Sequence, residues 1–360
     1  MACLESCFGE LSDPRAGNTT HRLGDLLVMM VAASLCGALT ATEFSLFAET
    51  RKAVLSRLIS YDHAPSHDTF SRLLRLLDPK AFGRAFAAFA TGFSEALAQG
   101  GFSPAESVVA IDGKVLKRAY ERGLVNSPPL MVSAFAAQAR LCLAVTSASG
   151  GNEVEAALRV VELLDLTDKI VTADALHCHH RMAEAITGKG GGFLLALKGN
   201  RHQWHATAEQ LFASDASRSK ARTMAFAHDR LEQRRAEVIA APPLMKGHAA
   251  FVRIITRRNQ APPVSRLFMA SKNFSAEEAL AITRAHWQIE NNLHWMLDVH
   301  FAEDLSRARK DNAPANIAIL KRIARNILQT ADKPKVPISH RIKKCAWDDA
   351  YLTHAITHMR

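Results

Sequence analysis

Residues 108–118 read VVAIDGKVLKR, and the fold turns on that stretch: apolar, largely β-branched residues run into Asp112, and Gly113 follows. A short apolar run bounded by a turn residue predicts a buried strand whose last side chain projects at the edge of a sheet. Working outward, LMVSAFAA (130–137) and LCLAVTSA (141–148) read as a hairpin closed by a polar turn around Gln138 to Arg140. A helical pattern opening at Asn152, EVEAALRVVELLDL, precedes KIVTAD (169–174), a second buried strand ending on Asp174. HHRMAEAIT then reads as a helix and GGFLLALKG as a further strand. The order β-β-β-α-β-α-β predicts a mixed α/β sheet with helices on its faces, its right-handed crossovers placing the first strand centrally.

On the amino-terminal side, residues 1–100 carry apolar positions at helical spacing throughout, as in LGDLLVMMVAASLCGAL and HDTFSRLLRLL, and predict an all-helical domain. The GGFSP stretch (100–104) ends that pattern and marks a boundary. The α/β core then spans 101–330. Within it, about 200–272 reads as a β-rich insertion, with MAFAHDRLEQRRAEVIA, FVRIITRR and SRLFMAS as strands separated by APP turns. Ser275, followed by Glu278, is a helix start that opens one long helix, AEEALAITRAHWQIENNLHWMLDV. Residues 331–360 form a basic, proline-punctuated tail.

The chain has 360 residues, 48% of them hydrophobic and 22% charged, enough to bury one large core or two smaller ones. A net charge of +10 suits a nucleic-acid partner. Six scattered cysteines without a CxxC pair fit a reducing cytoplasm, not a disulfide-stapled secreted domain. The longest apolar run, Leu26 to Leu39, is short for a membrane span of about 20 residues and reads as a buried helix.

Three acids stand out: Asp112 and Asp174 at strand ends, and Glu290 within HWQIENNLHWMLDVHFAED (286–304). Taken singly, each has a plainer reading, as a turn or cap aspartate or a solvated helical glutamate. Together, two carboxylates at the ligand-binding edge of a sheet and one from a distant helix are the oxygen donors that Mg²⁺ or Mn²⁺ prefers, and they suit a pair of such ions for phosphodiester chemistry. Asp298, Glu303 and Asp304 are the alternative ligands. Candidate DNA contacts are Lys114, Lys117 and Arg118 after the first acid, Lys198 and Asn200 after the GGFLLALKG strand, Arg230 in the insertion, and His286 and Asn291 beside Glu290. His177, Cys178, His179 and His180 offer zinc-ligand types, but adjacent helical residues point different ways.

At these segments the chain resembles the DDE transposases of bacterial insertion sequences, specifically the ISAs-type group that includes the H-repeat-associated proteins. The likeness runs through AIDGK, MVSAFAA, VTADALHC, LLALKGN, HDRLEQRR, HWQIENNLHWMLDVHFAED and RIARNIL, and through SDPRAGNTTHRLGDLLVMMVAASLCGA in the helical domain. It implies an RNase H-like catalytic core and gives the DDE roles to Asp112, Asp174 and Glu290. It also implies strand cleavage and 3′-hydroxyl transfer with Mg²⁺ or Mn²⁺, terminal inverted repeats and target DNA as partners, a homodimer on DNA, and a bacterial cytoplasmic, nucleoid-associated location. Two departures stand against the family pattern. Arg201 and His202 follow KGN where a glutamine is expected, and Thr283 and His286 occupy places that many such enzymes give to Tyr and Arg.

Overall fold

The computed structural model describes residues 7–15, 17, 19–97, 107–119, 128–214, 218–227, 230–332 and 335–357. The GGFSP boundary lies outside them. Before residue 100 the described chain is helical: α1 Leu23–Leu35, α2 Ala41–Thr50, α3 Lys52–Leu55, α4 His67–Leu76 and α5 Pro79–Leu97. The starts follow from the sequence. Thr40 and Glu43 close a capping box at α2, and the Ser66 hydroxyl accepts from the Thr69 N–H at α4. The run read as a buried helix is α1, buried over nearly its whole length.

The strands β1 Val108–Val115, β2 Leu130–Ala136 and β3 Leu141–Ser147 form an antiparallel meander. Helix α6 Glu153–Glu162, capped by Asn152, leads to β4 Ile170–Ala173; α7 His180–Gly188 leads to β5 Gly192–Leu197. Both later strands lie parallel within the sheet, β4 against β1 and β5 against β4, giving the order β3-β2-β1-β4-β5. That is the mixed α/β, RNase H-like core, with β1 between β2 and β4 as the crossover argument requires.

Residues 200–272 depart from the expected strand list in two ways. They begin with a helix, α8 His202–Ala213, and MAFAHDRLEQRRAEVIA splits into β6 Ser219–Ala227 and β7 Arg230–Ala240. With β8 Ala250–Arg258 and β9 Val264–Ala270 these strands form an antiparallel ladder. Because β9 pairs with β5, the ladder continues the core sheet to nine strands. The inward alternation of β9 explains the join: Leu267 and Met269 pack into the same core as Phe193, Leu195 and Leu197 of β5.

After β9 come α9 Ala276–His286, a π-helical turn over Glu290–His294, α10 Trp295–Phe301 and α11 Ala313–Thr330. The single long helix expected from Ser275 is thus interrupted. Residues of the expected basic tail form α12 Ile338–Trp347 and α13 Asp349–Thr357, which pack beside α1 and α11. The Cys36 thiol donates to the Cys345 carbonyl at 3.2 Å, and Arg51 pairs with Asp349 at 2.5 Å.

Helix α11 is buried on all sides, and several of its polar residues bond to neighbours. Asn316 donates to the Leu74 and Leu77 carbonyls at the end of α4. Asn326 accepts from the Cys142 N–H at 3.0 Å and donates to its carbonyl at 2.7 Å, satisfying the open edge of β3 as a strand would. Arg322 pairs with Glu303 at 2.7 Å and donates to the Ser133 hydroxyl of β2. The amino-terminal helices, α11, the carboxyl-terminal helices and one face of β1–β3 therefore share one core.

Arg322→Ala leaves Glu303 buried without its cation, and we expect it to lower the unfolding free energy by about 3–5 kcal/mol. Lys117→Ala, which removes an exposed partner of Asp304, is expected to leave the urea midpoint nearly unchanged. Urea titrations of both variants check the contrast; equal midpoints would contradict it.

Candidate active site

Parallel pairing of β1 with β4 runs from Val108 opposite Ile170 to Ala110 opposite Thr172. Extending that register by two residues sets Asp112 level with Asp174, but only Asp174 follows a strand end: Asp112, expected to terminate its strand, lies inside β1, paired with Ser133 of β2, because the antiparallel ladder to β2 continues to Val115. Alternation along β1 turns Asp112 to the face of Ala110, which packs in the core shared by α11 and the amino-terminal helices. The helix carrying Glu290 crosses that face, its buried stripe of Ile289, Leu293 and Leu297 packed in the same core.

The π turn is the local feature that sequence periodicity did not reveal. The Trp295 N–H reaches back to the Glu290 carbonyl, five residues away, and the Arg325 guanidinium donates to the Asn292 carbonyl within the turn at 2.9 Å. Such single π turns inside helices recur at functional sites. Here the turn presents Glu290 and His294 together: His294 Nδ1 lies 3.4 Å from the Glu290 carboxylate and 3.5 Å from that of Asp112. Ligand atoms of Asp112, Glu290 and His294 all fall within 4.8 Å of one another.

Electrostatics show what this proximity costs. Burial, then the hydrogen bond and charge of Glu290, push Asp112 far above the usual carboxylate range, to about 8, and Asp174 adds to the rise. Glu290 moves the other way, held down to about 2 chiefly by its hydrogen bond with His294. One proton is thus retained on the Asp112 side of the pair. Two carboxylates forced together with a third in electrostatic reach, and little counter-charge, form a donor set that a hard divalent cation fits.

Asp174 is not gathered into the cluster. Its carboxylate accepts from the Leu176 N–H at 2.9 Å, capping the short turn after β4, as its position at a strand end allowed. His286 faces this end of the sheet, not open solvent: its Nδ1 shares a 2.9 Å hydrogen bond with the Thr172 hydroxyl, and burial lowers its pKa against the charges of Asp174 and Glu290.

Lys114 corrects the expected DNA contacts. It is 8% exposed and binds Asp298 at 2.8 Å and Asp304 at 3.2 Å, because the alternation that buries Asp112 buries it too. The same pairs, with Lys117 on Asp304 and Arg322 on Glu303, occupy the alternative acidic ligands. Lys117, Arg118, Lys198 and Asn291 are exposed. Asn200 donates to the Ala175 carbonyl at 2.9 Å, tying the turn after β5 to the one after Asp174. Arg230 opens β7. The zinc-type residues diverge: Cys178 is buried against Met269, His179 caps α7 by accepting from the Met182 N–H, and His180 lies against the Trp204 ring. His294 was not singled out as a site residue; its i+4 spacing from Glu290 was the available signal.

Residues 103–327 match the model of the transposase DDE domain, and residues 5–90 match that of the DDE-transposase-associated region. "Putative transposase YncI" of Escherichia coli O157:H7 is 30% identical over 94% of this chain and 90% of its own length. "H repeat-associated putative transposase YhhI" of Escherichia coli strain K12 is 27% identical over 93% of this chain and 92% of its own. A piggyBac transposase synaptic complex with hairpin DNA aligns with 99% of this chain and 81% of its own at 11% identity and a TM-score of 0.47, too slight a likeness to carry an argument.

The raised pKa of Asp112 means the folded chain keeps a proton that the unfolded chain releases, so metal-free stability falls as pH rises from about 4 to about 8. Asp112→Asn removes that loss, and we expect it to stabilise the metal-free chain at neutral pH by about 1–2 kcal/mol. Mn²⁺ should raise the thermal midpoint of the native chain and leave that of the variant nearly unchanged. A variant less stable than the native chain, or equally stabilised by Mn²⁺, would contradict this.

Proposed function

The chain belongs to the DDE transposase family, and on that premise we propose that Asp112, Asp174 and Glu290 are the acids with which it cuts and joins DNA. The substrate is DNA carrying the element's terminal inverted repeats, and then target DNA, acted on by a homodimer in the bacterial cytoplasm. The observation that carries the reading is the convergence of Asp112 and Glu290, from the interior of β1 and a distant helix, with Asp174 level with Asp112 just past the end of β4. A net charge of +10 supports a polyanionic partner. Among the described residues no helix is long and apolar enough to cross a membrane.

Asp112 and Glu290 would hold the Mg²⁺ or Mn²⁺ ions between them, with Asp174 released from the Leu176 N–H to complete the set. Bound there, such ions activate a water or 3′-hydroxyl nucleophile and stabilise the leaving oxygen. The chain's own residues prepare that arrangement. His294 keeps Glu290 ionised and turned toward Asp112, and the Thr172 hydroxyl fixes the His286 ring beside Asp174. Arg325 supports the turn that aims both Glu290 and His294. Exposed Lys117, Arg118, Lys198 and Asn291 are placed to meet the DNA backbone.

The test is cleavage and joining on a fragment with the element's own ends, in Mg²⁺ or Mn²⁺. Asp112→Asn, Asp174→Asn and Glu290→Gln should each lower both products by about a thousandfold or more while DNA binding survives. His294→Ala should cost roughly 10–100-fold, the usual effect of losing a group that orients a ligand. Cutting without joining would favour a metal-dependent nuclease. Unchanged activity in the three acid variants would overturn the assignment.

A further inference from the structure

Between the amino-terminal helices and the segment after α10 lies a cavity of about 950 Å³. Arg75, Arg307, Arg309, Lys310 and Lys321 line it, against a single carboxylate, Glu43. That carboxylate is already engaged, accepting from the Leu39 and Thr40 N–H groups at 2.7 and 2.9 Å. Arg75 pairs with Asp311 at 2.7 Å, and Arg309 donates to the Arg118 carbonyl at 3.1 Å. Arg307 and Lys310 are exposed.

Lys321 is the informative member. It is 2% exposed on α11, yet it has no hydrogen bond or ion pair among the described residues. Glu303 and Asp298, whose charges favour its ammonium form, are bound to Arg322 and Lys114. Burial lowers its pKa to about 8, which leaves it charged at neutral pH. Its ammonium lines the cavity without a protein partner, so an anion there would supply the counter-charge it lacks.

We propose that this cavity binds phosphate groups of a DNA strand, as a contact separate from the three acids; the inference rests on the DNA reading above. A lone small anion would use one or two of these cations. Five of them around a space of this size suit a chain of phosphates, with Arg307 and Lys310 carrying the charge out to solvent. The same segment supplies Asp304 to Lys114, two residues beyond Asp112, so a strand held here runs close to the acids.

The experiment measures binding of a labelled DNA duplex to the full chain by fluorescence anisotropy across a salt series, in EDTA so that no metal-dependent step intervenes. Arg307→Ala/Lys310→Ala should weaken binding about tenfold or more and reduce the log–log salt slope by about two, one unit per lost phosphate contact. Lys321→Met should also weaken binding, with a thermal midpoint equal to or above the native one. Native affinity and slope in both folded variants would overturn the inference. So would pyrophosphate raising the thermal midpoint of the native chain but not of Lys321→Met while the duplex binds both alike, which would mark a small-anion site. If the cavity variants bind as the native chain does while Asp112→Asn abolishes cleavage, this inference falls and the proposed function stands. If the native chain binds no DNA at any salt concentration, both fall.

Discussion

The buried polar side chains of α11 are the constraint on which the rest of the structure depends. Asn316 holds the end of α4, Asn326 closes the edge of β3, Arg322 joins β2 to Glu303, and Arg325 meets the π turn. Each removes a group from water, and each is met by a partner that would otherwise stand unsatisfied. Apolar packing alone would allow α11 to slide or rotate by small amounts. Directional bonds to fixed carbonyls and carboxylates do not, and this sets the height of the Glu290 helix over β1.

That rigidity explains how like charges come to lie together. Nothing in the local preference of Asp112 or Glu290 favours their contact, and burial first, then the nearness of Glu290, raises the Asp112 carboxyl to about 8. The surrounding core enforces it. Sites that hold reactive groups in unfavourable proximity give up some stability for function. Asp174, tied to the Leu176 N–H, stands outside the pair.

The sequence made some of this legible and hid the rest for physical reasons. Asp112 and Asp174 could be read because each closes an apolar run, although β1 continues past Asp112 to Val115, and the βα order placed β1 beside β4. The addition of β6–β9 to the same sheet was hidden, since β9 finds β5 across about 70 intervening residues and no local pattern encodes that partner. The split of MAFAHDRLEQRRAEVIA was hidden because no Gly or Pro interrupts that stretch. The π turn was hidden because the sequence there has ordinary helical periodicity, and the Arg325 contact to the Asn292 carbonyl comes from 33 residues away. Lys114 read as a DNA contact because charge was counted before strand alternation, which turns it inward with Asp112. Residues 338–357 looked like a basic tail because their charges outweighed a buried set, Ile338, Cys345, Leu352 and Ile356, that packs on α1 and α11.

The central claim is that the three acids share divalent ions, and anomalous diffraction from crystals soaked in Mn²⁺ tests it most directly. The account predicts anomalous peaks in contact with the Asp112 carboxylate, shared with Glu290 and with an Asp174 that has left the Leu176 N–H. Peaks confined to other acids, or a fully soaked crystal in which Asp112 and Glu290 remain in contact with no ion between them, would contradict it.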